Sequence, residues 1–594
     1  MIEKLIEWNL SDFYESIDDP QIKKDMDSLL EAAKEFNTKI KGNLNVPELT
    51  PSKILNWFIE YEKIGEKAFY LQTYSQLIYS INTLDEEVKV FHSKIEDFTV
   101  RIQELTLFFY LELNQISDSK YEELIKAPEL SKYVHALKYN RLKKPHQLSE
   151  KEEQIILMKD ITGVNGFLKL YSEIKSDFIY DFEIDGEMKK LTESELFAFM
   201  YQKDKDLRHK ALSLIVSKYK TNEKIFTHIF NNILKDWDLE SKKKNYKTPI
   251  SRRNLSNEIN DESVDILGKT TTNGYSVVEK YYNLKKKILR LEELRMSDLY
   301  APVGTIEKKY DYEEALRLIE KVNENFHPEF SKIIKTMQQK GHIDATPRKG
   351  KNRGAFCEFG KLKHYPYVFV NYTENVDSVL TLSHELGHAV HAYYIQDEQN
   401  FANLGISLAI AEIASVFNEM LILDYLLDTD LTKEEKISIL AIFLESNIAT
   451  SFRQNAFYNF ELKIHELIEE KLPMTSEIKD FFVKEMELMF GDSVKYIAED
   501  YANYVFVIPH FLNDPFYVYA YNMSNLLVIA LYQIYLEKKD EFVPKFIKLL
   551  KVGSSLSPED MLKLVDIDLS DSSFWGKGIQ YLMDKVNELE KLVE

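Results

Sequence analysis

His384-Glu385-Leu386-Gly387-His388 is a stretch of the form H-E-x-x-H, and the reading of the chain grows outward from it. On a helix, residues i and i+4 are neighbours on one face, about 5–6 Å apart at Cβ. That spacing sets two imidazoles at two corners of a tetrahedral zinc. Glu385 lies about 100° further round the helix, where it can reach a water on the metal without ligating the metal itself. Such a site needs an open metal position, a base beside the water and a third protein ligand from elsewhere. With 13 His among 594 residues, the pattern is expected by chance about 0.02 times, so the competing reading of two unrelated helix histidines is weak.

The flanking sequence places the motif on a helix. Asn375 is a candidate N-cap, and Val379, Leu382, Leu386, Ala389 and Tyr393 follow a three-and-four spacing. His384, His388 and His391 share the neighbouring face. Upstream, Tyr365-Pro366-Tyr367-Val368-Phe369-Val370-Asn371-Tyr372 reads as a strand by its β-branched and aromatic content. Pro366 assigns it to a sheet edge, where an extended peptide could pair.

A third ligand must follow. Gly at 391 and His at 394 would continue a metzincin pattern, but the chain has His391 and Tyr394. The alternative is a glutamate on a later helix. The apolar run from Leu408 to Glu419 carries Glu412 where a core residue is expected, and a buried carboxylate needs a charge partner or a metal. Glu419, two turns on, can accept a hydrogen bond from a ligand imidazole. His391 competes for the third position, although three ligands on one straight helix fit a tetrahedron poorly; a pocket or supporting role suits it better.

His384 to His391 together with Glu412 and Glu419 resemble the thimet oligopeptidase family, and more closely its oligoendopeptidase F branch. Asp298-Leu299-Tyr300-Ala301-Pro302, Arg353-Gly354-Ala355-Phe356, His364-Tyr365-Pro366-Tyr367, His510-Phe511 and Phe516-Tyr517-Val518-Tyr519-Ala520-Tyr521 add to the likeness. It reaches Trp8-Asn9-Leu10-Ser11-Asp12-Phe13-Tyr14 and so covers most of the chain. The resemblance implies one zinc per chain on His384, His388 and Glu412, with Glu385 as general base. It implies that His510 and one or two C-terminal tyrosines hold the oxyanion. Leu512-Asn513-Asp514-Pro515 replaces the glycine-rich spacer of other branches, which leaves the register open by a residue or two; Tyr519 is the first choice and Tyr517 the second. Gly354 and Tyr367 are the candidate substrate-binding residues. The implied fold is a mostly α, multi-helical, gluzincin-like zincin. It has a small β-sheet beside the metal helix and an internal cleft between helical lobes.

Composition agrees with a large soluble enzyme: 44% of residues are hydrophobic, and only 18 Gly and 15 Pro favour long helices. A net charge of −21 disfavours nucleic acid. One cysteine, Cys357, excludes an intrachain disulfide and reads as a bystander rather than a catalytic thiol. No signal peptide is evident at Met1–Glu15, and the apolar run Leu526–Tyr535 is too short to cross a bilayer, so the expected compartment is the cytoplasm and no membrane is expected as a partner.

Trp57, Tyr61, Ile64, Ala68 and Leu71, then Val88, Phe91, Ile95, Phe98, Ile102, Leu105 and Phe109, form two helical stripes. They predict an antiparallel hairpin turning at Asn82-Thr83. Asp185-Gly186 predicts a β-hairpin, and Thr192 with Glu195 a capping box. The expected division is an N-terminal helical lobe, 1–190, and a catalytic domain, 191–594. The expected activity is a zinc endopeptidase acting on short peptides. A zinc exopeptidase, with Arg252, Arg253 or Arg353 anchoring a substrate carboxylate, and an inert helical scaffold are the rivals.

Overall fold

Helices make up most of the computed structural model, which describes residues 5–594 except 47, 305, 307 and 408. Leu408 of the apolar run, and the first four residues of the amino terminus, lie outside the described residues. Contacts divide the chain into two units. The first is formed by Met1–Lys144, Lys308–Thr429 and Ile534–Ile567, the second by Pro145–Glu307, Asp430–Gln533 and Asp568–Glu594.

In the first unit the expected helical hairpin is present as Pro51–Ile81 and Glu86–Thr106. Thr50 and Asp85 cap the two helices through their side chains. Trp57, Ile64, Ala68 and Leu71 of one helix, and Val88, Phe91, Ile95 and Ile102 of the other, are buried. Phe109 falls beyond the second helix, in a separate short one.

The same unit holds a three-stranded sheet in the order β3-β5-β4: β3 Ile343–Asp344, β4 Phe356–Glu358 and β5 Tyr367–Phe369. β3 runs parallel to β5 and β4 antiparallel to it. This corrects the expectation of an edge strand: β5 is central. Pro366 stands just before the first strand residue, where a missing N–H removes no ladder bond. Tyr367, Val368 and Phe369 are accordingly all buried.

The outer side of β3 is covered by the N-terminal segment. Ala345 N–H donates to Ile6 O at 3.0 Å and Asn9 N–H to Gly341 O at 2.7 Å. Trp8 Nε1 donates to Val368 O at 2.9 Å. The open edge among the described residues is therefore β4.

The second unit contains the predicted β-hairpin. β1 Tyr180–Ile184 pairs with β2 Glu187–Leu191 about Asp185 and Gly186, both at positive φ (52° and 83°), as a two-residue turn of this kind requires. Thr192 and Glu195 form the expected capping box. Residue 190 thus lies inside a hairpin strand. Among the described residues, no helix is long and apolar enough to cross a membrane.

Candidate metal centre and its relatives

The motif helix, Val376–Glu398, begins at Asn375, whose side chain accepts from Ser378 N–H at 2.7 Å. Val379, Leu382, Leu386 and Ala389 are fully buried. Tyr394, rather than Tyr393, continues that buried stripe. The stripe fixes the roll of the helix and leaves His384 and His388 about one-quarter exposed, at 25% and 24%.

A second helix, Ile413–Leu427, crosses the first at Gly387. A Cβ at Gly387 would lie 2.5 Å from Ala414 O and 2.6 Å from Ser415 Cα, so only glycine permits this approach. Asn418 Nδ2 donates to Ser383 O at 2.6 Å and ties the helices together one turn along. Glu412 stands at the amino-terminal boundary of the second helix, not inside it as the apolar run implied. The crossing delivers its carboxylate to the two histidines.

His384 Nε2 and His388 Nε2 lie 3.1 Å apart, and Glu412 Oε2 is 3.2 Å from the first and 3.3 Å from the second. Ligand atoms held tetrahedrally at about 2.0–2.1 Å from zinc lie about 3.3 Å from one another, so this triangle fits the ion and leaves a fourth position open. His384, His388 and Glu412 are the metal-capable cluster among the described residues; His391 is not a member.

Supporting contacts surround the triangle. The carboxylate of Glu419 hydrogen-bonds His384 Nδ1, which leaves Nε2 directed at the triangle. Ser415 Oγ donates to Glu412 Oε2 at 2.7 Å. Burial raises the pKa of Glu412, but hydrogen bonds from His384 and His388 outweigh it and hold the carboxylate well below its usual range. Glu385 is 6% exposed, and its Oε2 is buried without a hydrogen-bond partner among the described residues. Burial pushes its pKa above the ordinary carboxylate value, toward the range of an effective base.

His391 is 1% exposed, and neither ring nitrogen has a hydrogen-bond partner among the described residues. Burial pushes its pKa down to about 3, so the ring is neutral. Cys357 lies on β4. Burial, with Glu385 and Glu358 nearby, pushes its thiol well above the ordinary value, which suits a bystander. Of the two candidate substrate-contacting residues, Gly354 is exposed at φ 84°. Tyr367 is 1% exposed with its ring stacked on His342 at 4.1 Å, so its side chain is core rather than contact surface.

The C-terminal candidates lie in the second unit. His510 opens a short helix, His510–Asn513, and the tyrosine helix runs from Val518 to Lys538. Ring centroids of His510, Tyr517 and Tyr521 are 5.1–6.3 Å apart, and Tyr521 Oη lies 3.4 Å from His510 Nε2. Tyr519 is excluded from this group. It is 1% exposed, and its hydroxyl accepts from Asn257 Nδ2 at 2.8 Å. The first choice among the tyrosines is thereby corrected: Tyr517, just ahead of the helix, and Tyr521, in its first turn, both lie against the His510 ring, whereas Tyr519 is buried in the core.

Sequence reasoning missed Gly387, Ser415 and Asn418. The available signals were a glycine inside a helical motif and small polar residues within an apolar run.

An H-E-x-x-H helix joined to a glutamate from a second helix defines a metallopeptidase of the gluzincin kind. The chain belongs to peptidase family M3, whose sequence model matches residues 198–581. The model described as oligopeptidase F matches 112–180. The chain is 28% identical to the oligoendopeptidase F homolog of Borreliella burgdorferi over 599 residues, covering 99% of this chain and 98% of that one. It is 29% identical to oligopeptidase PepF of Bacillus subtilis over 542 residues, covering 90% and 80%. The crystal structure of oligoendopeptidase-F from Enterococcus faecium shares the fold, with a TM-score of 0.71, 22% identity and coverage of 96% and 99%. A crystal structure from Chlamydophila abortus does so with a TM-score of 0.89, 24% identity and coverage of 99% and 98%. The chain is a metalloendopeptidase and hydrolyses peptides.

Proposed function

We propose that the metal is zinc, one per chain, held by His384, His388 and Glu412, and that the enzyme cleaves short oligopeptides in the cytoplasm. The observation that carries this reading is the 3.1–3.3 Å triangle of ligand atoms beside a buried, under-bonded Glu385. When bound, zinc supplies a Lewis acid that acidifies water toward pKa ~7 and polarises a carbonyl. Glu385 takes the proton from the attacking water and returns it to the leaving amine. His510 and Tyr521, with Tyr517 beside them, donate hydrogen bonds to the developing oxyanion. Glu419 and Ser415 orient His384 and Glu412, and His391 is a neutral supporting residue rather than a ligand. The open β4 edge, with Gly354 near its start, is where an extended peptide would pair.

Relatives bearing oligoendopeptidase and oligopeptidase names support short substrates. The match over 198–581 contains every residue assigned to the site and supports a catalytic part within 191–594. Two of the cations that an exopeptidase would need are engaged internally. Arg252 pairs with Glu240 at 2.8 Å, and Arg253 donates to Pro515 O at 3.1 Å. Digestion of terminally blocked peptides, read by mass spectrometry with and without chelator, tests the whole reading. Internal cleavage abolished by chelator and restored by zinc is expected; cleavage only of peptides with free termini would make the protein an exopeptidase.

A further inference from the structure

We propose that Glu461 is a positioning residue: with Arg253 it grips the Pro515–Phe516 peptide from both ends and so sets the register in which His510, Tyr517 and Tyr521 come together. The proposal rests on the reading of His510 and Tyr521 as oxyanion donors. Between the short His510 helix and the tyrosine helix the chain reverses at Phe516, which adopts φ 59°, a left-handed conformation uncommon for a bulky side chain. Tyr517 N–H donates to Asp514 O at 3.0 Å and closes the turn locally, and contacts from outside the segment add to that hold.

Two side chains do so. Phe516 N–H donates to Glu461 Oε1 at 2.8 Å, and Pro515 C=O accepts from Arg253 Nε at 3.1 Å. One peptide unit is therefore held at both its donor and its acceptor. Arg253 also lies 3.6 Å from Asp514 Oδ1, and its guanidinium sits 5.8 Å from the centre of the Tyr517 ring. The Phe516 ring is 1% exposed and packs on His465, one turn along the helix from Glu461, at 4.5 Å. The grip thus reaches every residue from Asp514 to Tyr517.

A carboxylate is a costly way to fill this space. Glu461 is 1% exposed, and its second oxygen is buried without a hydrogen-bond partner among the described residues. Burial pushes its pKa up to about 8. A leucine would pack there without that cost but would leave the inward-facing N–H of Phe516 unpaired. The acid is explained by the peptide it holds. One residue of slippage at the turn would rotate the tyrosine helix by about 100° and exchange Tyr521 for a neighbour.

The test compares Glu461→Leu, Glu461→Gln, Tyr521→Phe and the double variant Glu461→Leu/Tyr521→Phe in the full-length zinc enzyme, with kcat, KM and zinc content measured for each. Misplaced donors should lower kcat of Glu461→Leu by about 10- to 100-fold while KM and zinc content barely move. Glu461→Gln, whose amide oxygen still accepts from Phe516 N–H, should recover most of the loss. The double variant should be slower than Tyr521→Phe by clearly less than the loss Glu461→Leu shows alone, because Glu461 acts in part through that hydroxyl. A normal kcat in Glu461→Leu, or losses that multiply in the double variant, would overturn the proposal. If Glu461→Leu does not fold, Arg253→Met loosens the opposite end of the same peptide and is judged by the same outcomes. A near-normal kcat in Tyr521→Phe overturns the donor reading and the positioning role together. An impaired Tyr521→Phe beside a normal Glu461→Leu overturns only the positioning role.

Discussion

The metal centre and the His510–Tyr521 segment both assemble polar side chains from more than one stretch of chain, but they do so by opposite means. At the metal centre two histidines share one helix turn, and their relation is fixed by helix geometry alone. The glutamate arrives because Gly387 lets a second helix touch the first. In the tyrosine segment the geometry depends on a turn, on the residue where a helix begins, and on two distant side chains that hold the turn. Local periodicity specifies the first arrangement. The second adds tertiary contacts to a local turn closed by Tyr517 N–H on Asp514 O.

The largest expected effect belongs to the first region. Glu385→Gln keeps size and packing but removes the proton acceptor, so kcat should fall by on the order of 10²–10⁴ with zinc still bound. Glu412→Gln should instead lose metal. Zinc titration of the two variants side by side checks the assignment, and the reverse pattern would mean that the base and ligand roles are interchanged.

The second region is sharpened by a pair of hydroxyl deletions. Tyr521→Phe should cost about 2.7–4 kcal/mol of transition-state stabilisation, the usual loss for one oxyanion donor, with KM and zinc content little changed. Tyr519→Phe removes the acceptor of the Asn257 amide in the core. It should therefore lower stability by about 1–3 kcal/mol and leave kcat nearly intact. Steady-state kinetics and thermal melts of both variants decide which tyrosine faces the chemistry.

That contrast marks how much the sequence could reveal. His384, Glu385 and His388 were legible because a five-residue spacing on a helix has one geometric meaning, and Glu412 because an acid stands out in an apolar run. The β-hairpin at Asp185-Gly186 and the capping box at Thr192 were legible for the same reason: each is a local rule with a fixed offset. The sequence ranks Tyr519 ahead of Tyr517 and passes over Tyr521, because nothing in it tells that the helix begins at Val518 or that Phe516 turns left-handed. Pro366 points to an edge, but it sits just ahead of a central strand, since strand boundaries depend on partners that sequence does not name. The covering of β3 by residues 6–9 is likewise a contact across more than 330 positions and has no local signature.

An intermediate effect probes how tightly the metal region is built. Gly387→Ala places a methyl group against Ala414 O and Ser415 Cα, and forcing the helices apart should cost about 1–3 kcal/mol of stability. The same separation draws Glu412 from the histidines, so zinc affinity should fall more than stability does. Ser415→Ala removes one hydrogen bond to Glu412 without moving the backbone, and an affinity loss of about 10–100-fold is expected. Competition with a chelator measures both. If Gly387→Ala left affinity unchanged, the helix crossing would not be what places Glu412.

The smallest effect concerns Tyr367, whose family context suggests substrate contact and whose surroundings argue otherwise. Its hydroxyl is buried and has no hydrogen-bond partner among the described residues, while its ring stacks on His342 and packs against Trp8 and Phe13. A buried polar group without a partner opposes folding, and deleting it while keeping the ring is neutral or stabilising by up to about 1 kcal/mol. Tyr367→Phe should therefore melt at the same temperature or slightly higher, with kcat and KM unchanged. A raised KM would place the hydroxyl on bound peptide and reopen β5 as a substrate strand. An unchanged KM leaves the outer edge of β4, which no described strand pairs, as the edge where a peptide can pair.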